Sequence, residues 1–83
     1  MSQPETKKLE SMPHGAFKRQ VFKMYKKTPA SELRSDILHC QKTIYPHKSE
    51  DELKNKQWLN KEVLKELIKY QGVPDGYRNN LTD

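Results

Sequence analysis

Pro46 limits this chain more than any other residue. It has no amide hydrogen and disfavours helical backbone at Tyr45, so no helix can run through the middle of the sequence. Pro29 marks a second boundary, with Thr28 placed to cap a helix whose first position is Pro29. Gly72 supplies a third, as a natural helix C-cap. Between these marks lie three stretches with apolar residues at helical spacing.

In the first stretch Phe17, Val21, Met24, Tyr25 and Thr28 share one arc about 100° wide. Lys18, Arg19, Lys23, Lys26 and Lys27 fill the opposite side, and Phe22 sits on the boundary. In the second, Leu33, Ile37, Cys40 and Ile44 make a narrow apolar stripe, widened by Leu38 and Tyr45. The third opens on "SEDE", where Ser49 and Glu52 form a capping box and the acidic first turn suits the helix dipole. Glu50 with Lys54 and Glu52 with Lys56 are helix-stabilising pairs four residues apart. Leu59, Val63, Leu64, Leu67, Ile68 and Tyr70 follow as a broad apolar face.

The pattern predicts an all-α fold: a small antiparallel three-helix bundle with helices over roughly 13–27, 29–45 and 49–71. Trp58 points away from the third apolar face on a straight helix. Either that helix breaks near Asn60, which would cap a new segment, or Trp58 is exposed or packs on another element. The predicted organisation is a disordered N-terminal segment over 1–12, a bundle over 13–72 and a flexible C-terminal tail over 73–83. The tail begins with the turn signal Pro74-Asp75-Gly76.

The chain is 83 residues long, 33% hydrophobic and 33% charged, so the core must be thin. A domain of this size hides only about 60% of the surface that its unfolded chain exposes. Apolar side chains at the edges of the helical stripes are then candidates for contact with another molecule. The lone Cys40 cannot form an internal disulfide. The opening residues have no apolar core of a secretory signal, and no apolar run has the length of a membrane span. These features predict a cytoplasmic protein without a membrane span.

Several chemistries find no support in the sequence. His39 and Cys40 are the only adjacent pair drawn from His and Cys, and neighbours on a helix point about 100° apart, so no metal site is predicted. The three glycines do not form a phosphate-binding loop, and no nucleophile–histidine–acid signature is present. A bundle this small has little room for a dry pocket of the usual ~300–1,000 Å³. No enzymatic activity and no cofactor are predicted.

The remaining signal is charge. The net charge is +5, and residues 1–30 carry seven Lys or Arg against two Glu, whereas the rest of the chain nearly balances. "FKRQVFKMYKK", residues 17–27, holds five cations and three aromatic rings. The predicted function is a small non-enzymatic binding protein, an adaptor, inhibitor or assembly factor, that docks on an acidic protein partner through this helical face. Phe22, Tyr25 and Trp58 would be apolar anchors, and Lys18, Arg19, Lys23, Lys26 and Lys27 the charged rim. The alternative is non-specific nucleic-acid binding through the same lysines. Sequence-specific reading is disfavoured by thirteen Lys against three Arg, and by the carboxylates that would lead the third helix into a groove. A basic amphipathic helix on an anionic membrane surface ranks last, because the bundle needs its apolar arc. In the plainest reading the lysines are a solvated face that keeps a small domain soluble. The sequence leaves the oligomeric state open.

Overall fold

A computed structural model describes residues 9–81. The disorder expected over residues 1–8 lies outside the described residues. In chain order the elements are β1 (Glu10–Ser11), β2 (Gly15–Phe17), α1 (Lys18–Met24), α2 (Ala30–Ile44), α3 (Glu50–Asn55), β3 (Trp58–Asn60), α4 (Lys61–Gln71) and β4 (Tyr77–Arg78). β1 pairs with β4 in parallel, and β2 pairs with β3 in antiparallel register. The fold is therefore mixed α/β, not the all-α three-helix bundle that helical periodicity predicts.

The correction begins in the third stretch. α3 starts where the sequence indicates: Ser49 Oγ accepts from Glu52 N at 3.2 Å, and Ser49 N donates to Glu52 Oε1 at 3.0 Å. It lasts only six residues. Lys56 is already extended, and Trp58-Leu59-Asn60 runs as a strand against Gly15-Ala16-Phe17. Asn60 then caps α4, its side chain accepting from Val63 N at 3.1 Å. The break near Asn60 thus exists, with a strand inserted before it. Three-residue strands are too short to show the alternation by which strands are recognised.

Strand geometry also resolves the position of Trp58. Successive strand residues face opposite sides, so Ala16 and Leu59 point into the core, both 0% exposed, while Phe17 and Trp58 meet on the outer face. Their ring centroids lie 5.1 Å apart in an edge-to-face arrangement. Gly15 makes room beside them: a Cβ there would overlap the indole at Trp58 Cζ2. Gly15→Ala must push the indole aside, and is expected to cost about 1 kcal/mol with a shift in tryptophan emission. Unchanged emission and stability would show that the ring does not lie over Gly15.

α1 is shorter than its predicted range, because the residues before Lys18 are taken by β2. Phe17 N donates to Gln20 Oε1 at 2.9 Å, which satisfies one group at the helix start. The helix stops at Met24, and Tyr25 turns its hydroxyl onto Gly72 O at 2.7 Å. Lys18 Nζ donates to Leu53 O and Lys54 O at 2.9 and 3.0 Å, so its ammonium caps the C-terminal carbonyls of α3. Burial lowers the Lys18 pKa.

α2 packs chiefly on α4 and α3. Its stripe residues Leu33, Ile37 and Cys40 are buried and meet Val63, Leu64, Leu67 and Ile68 of α4 in one core with Val21, Met24 and Leu59. Tyr70, expected on the apolar face of the third helix, is instead 52% exposed and pairs with His39, Nε2 to hydroxyl 2.9 Å. Gly72 ends α4 with φ 78°, a left-handed value that favours glycine.

The two ends of the described chain pair with each other. Residues 73–81 fold back rather than leaving the core. Tyr77 N bonds Pro74 O at 3.1 Å around Gly76, whose φ of 85° suits the turn. β4 then aligns with β1, Arg78 donates to Ser11 Oγ, and Asn80 exchanges hydrogen bonds with the backbone of Met12. Met12 and Leu81 are 1% and 2% exposed and belong to the core. No helix among the described residues is long and apolar enough to cross a membrane.

Candidate functional site

The β2–β3 pair and the Lys18 clasp hold α1 beside α2 and the end of α3, and an open groove of about 630 Å³ lies between them. Its apolar side chains are Phe22 of α1 with Ile37 and Leu38 of α2. Cations surround them: Lys18 and Arg19 from α1, Arg34 from α2 and Lys54 from α3. Ser31, Ser35, Gln41 and Gln57 complete the lining, which contains no carboxylate. The groove is open to solvent and is not the dry pocket for which so small a domain has little room.

The four cations differ in what already holds them. Lys18 is committed to the two α3 carbonyls, and Lys54 lies 3.8 Å from Glu50. Arg19 and Arg34 make no ion pair among the described residues. Each lies near an aromatic ring instead: Arg19 Cζ is 5.9 Å from the Phe17 centroid, and Arg34 Cζ is 5.7 Å from that of Phe22. Two of the chain's three arginines thus flank one groove.

The groove also holds a polar irregularity. Gln41 is 0% exposed, and its Nε2 donates to Leu53 O at 3.1 Å. Its Oε1 has no hydrogen-bond partner among the described residues. A buried acceptor left in this state costs about 1–3 kcal/mol.

The residues predicted as a single face fall into separate places. Lys18, Arg19 and Phe22 line the groove, with Phe22 half-buried. Trp58 follows Gln57, a lining residue, and is 46% exposed against Phe17 on the outer side of the strand pair. Tyr25 is not an exposed anchor: it is 5% exposed, and burial pushes its hydroxyl pKa up to about 12. Lys27 is bound to Asp75 at 2.9 Å, and Lys23 and Lys26 project from a different side, around a second depression that includes Glu10 and Asp75. The five cations therefore do not form one face: Lys18 and Arg19 border the groove, and Lys23, Lys26 and Lys27 lie away from it.

Reading the first helix alone missed Ser31, Arg34, Ser35, Leu38, Gln41, Lys54 and Gln57. A signal existed in the second helix, where Arg34 and Leu38 are four residues apart on one side of the narrow stripe.

Other reactive groups have structural surroundings. Burial raises the Cys40 thiol to about 12, which keeps it protonated at neutral pH and makes it a poor nucleophile. No group of three or more His, Cys, Asp or Glu side chains among the described residues is placed to hold a metal ion. Comparison with known proteins gave no match to a family model, to a curated protein or to a solved structure.

Proposed function

We propose that the chain is a non-enzymatic binding domain that docks on a protein partner through the groove between α1 and α2. The observation that carries this reading is a lining of four cations around Phe22, Ile37 and Leu38 with no carboxylate among them. An apolar floor within a polar rim is the general anatomy of a protein interface. The unpaired charges at the rim would steer an acidic partner.

Nucleic acid is a weaker match to the same lining. Two of its three apolar side chains, Ile37 and Leu38, are aliphatic and offer a base no ring to stack on. Trp58, an exposed aromatic adjacent to this lining in sequence, is not part of it.

The test is capture of partners by the tagged chain from its host, with nuclease, at about 50 and 200 mM salt, alongside mixed-sequence DNA and RNA titrations. Phosphate-driven binding should fall steeply over that range, whereas a docked apolar anchor should be much less sensitive. A protein retained through nuclease and salt, and lost with a folded Phe22→Ala variant, is expected. Binding to DNA or RNA that collapses with salt, with no protein dependent on Phe22, would overturn the proposal.

A further inference from the structure

We infer that the groove takes a short acidic peptide segment of the partner, with one apolar side chain on Phe22, Ile37 and Leu38 and its carboxylates on Arg19 and Arg34. This rests on the reading of the chain as a protein-binding domain and specifies what that groove recognises. Arginine offers a planar fork of N–H donors that matches a carboxylate in two-point contact. The thirteen lysines lie throughout the chain, yet two of only three arginines border this one groove. They are also the two rim cations that no described carboxylate or carbonyl engages, whereas Lys18 and Lys54 are partly committed.

The apolar floor separates this occupant from a simple polyanion. Leu38 is half-buried beside the arginines and belongs to no filled part of the core. A side chain seated there would remove apolar surface from water between two charge contacts. Ser31 and Ser35, one helical turn apart, can exchange hydrogen bonds with a peptide backbone.

Gln41 supplies the third element. An occupant bringing an N–H to its Oε1 would satisfy a buried acceptor that no described residue satisfies. Because Gln41 is fully covered, a neighbouring groove side chain must turn aside to admit it. The acidic stretch of a second copy is a poorer candidate: Glu52 serves the Ser49 cap, and Glu50 is engaged by Lys42 and Lys54.

The experiment uses the full chain and fluorescence anisotropy. The probe is a short labelled peptide of glutamates and glycines around one central leucine. Companion probes replace the leucine by serine or the glutamates by glutamines, and a labelled mixed-sequence single-stranded RNA tests the other polymer. The leucine–glutamate probe is expected to bind saturably, and each companion peptide at least about tenfold more weakly. Arg19→Glu with Arg34→Glu should weaken it by about 30-fold or more, and Lys61→Glu, on the exposed start of α4, by less than about threefold.

Gln41→Met separates a recognition role from a structural one. Leu53 O keeps its bonds from Lys18 Nζ and Lys56 N, so the variant loses no obligatory partner and removes the unsatisfied oxygen. It should melt no lower than the wild type while binding the probe about fivefold more weakly. No saturable binding up to about 1 mM protein, or equal binding after the double arginine reversal, would overturn the inference. So would tighter binding of the RNA with the same dependence on Arg19 and Arg34. If capture from the host still depends on Phe22, the acidic peptide alone is wrong. If that dependence is absent too, the protein-docking reading falls with it.

Discussion

Replacing Leu59 with alanine is expected to lower the unfolding free energy by about 3 kcal/mol, read as a reduced urea midpoint at unchanged slope. Leu59 is 0% exposed and joins the core from β3. The strand pair fixes its backbone opposite Ala16 on one side, and Asn60 begins α4 on the other. The surroundings therefore have little freedom to close over a lost isobutyl group. A domain this small has a stability near the lower end of about 5–15 kcal/mol, so one such cavity removes a large share. A cost below about 1 kcal/mol would show that β3 does not insert Leu59 into the core.

Asn60→Ala is expected to destabilise by about 1–2 kcal/mol. The Asn60 side chain accepts from Val63 N and donates to the Tyr45 hydroxyl, so it both starts α4 and ties that start to the end of α2. The sign is informative. Were residues 49–71 one continuous helix, Asn60 would lie in its interior, and alanine, the better helix former, would stabilise by a few tenths of a kcal/mol. Chemical denaturation of the two proteins distinguishes the architectures without further structural work. An increase in stability would restore the uninterrupted helix.

Residues whose chemistry acts locally could be read from the sequence. The Ser49–Glu52 box, the C-cap at Gly72 and the capping power of Asn60 depend on groups within three or four positions, and all three occur. The Leu33–Ile37–Cys40 stripe was also visible, because a single helical period covers it. What failed depends on distant partners. Gly15-Ala16-Phe17 falls inside the helix expected over roughly 13–27, and only the arrival of Trp58-Leu59-Asn60 makes it a strand. Phe17 then turns outward, although its place in the apolar arc assigned it to the core. Tyr25 shows the reverse: the end of α1 and the Gly72 carbonyl draw it inside.

The groove was partly legible for the same reason. Lys18, Arg19 and Phe22 stood out through the charge imbalance of one segment. Arg34, Leu38 and Gln41 lie in a stretch whose charges balance, and a net-charge count passes over them. Their significance arises only when α2 is laid against α1. An arginine without a local acidic neighbour at helical spacing on a balanced helix is a signal that such a count discards.

Titration of the nitrogen-15-labelled chain with the leucine–glutamate peptide, followed by NMR, bears most directly on the groove as the docking site. Saturating shifts are expected at Phe22, Arg34 and Leu38 and at the Gln41 side-chain amide, with Lys23 and Lys26 little changed. Shifts confined to Lys23, Lys26 and Lys27, or perturbation by RNA alone, would contradict it.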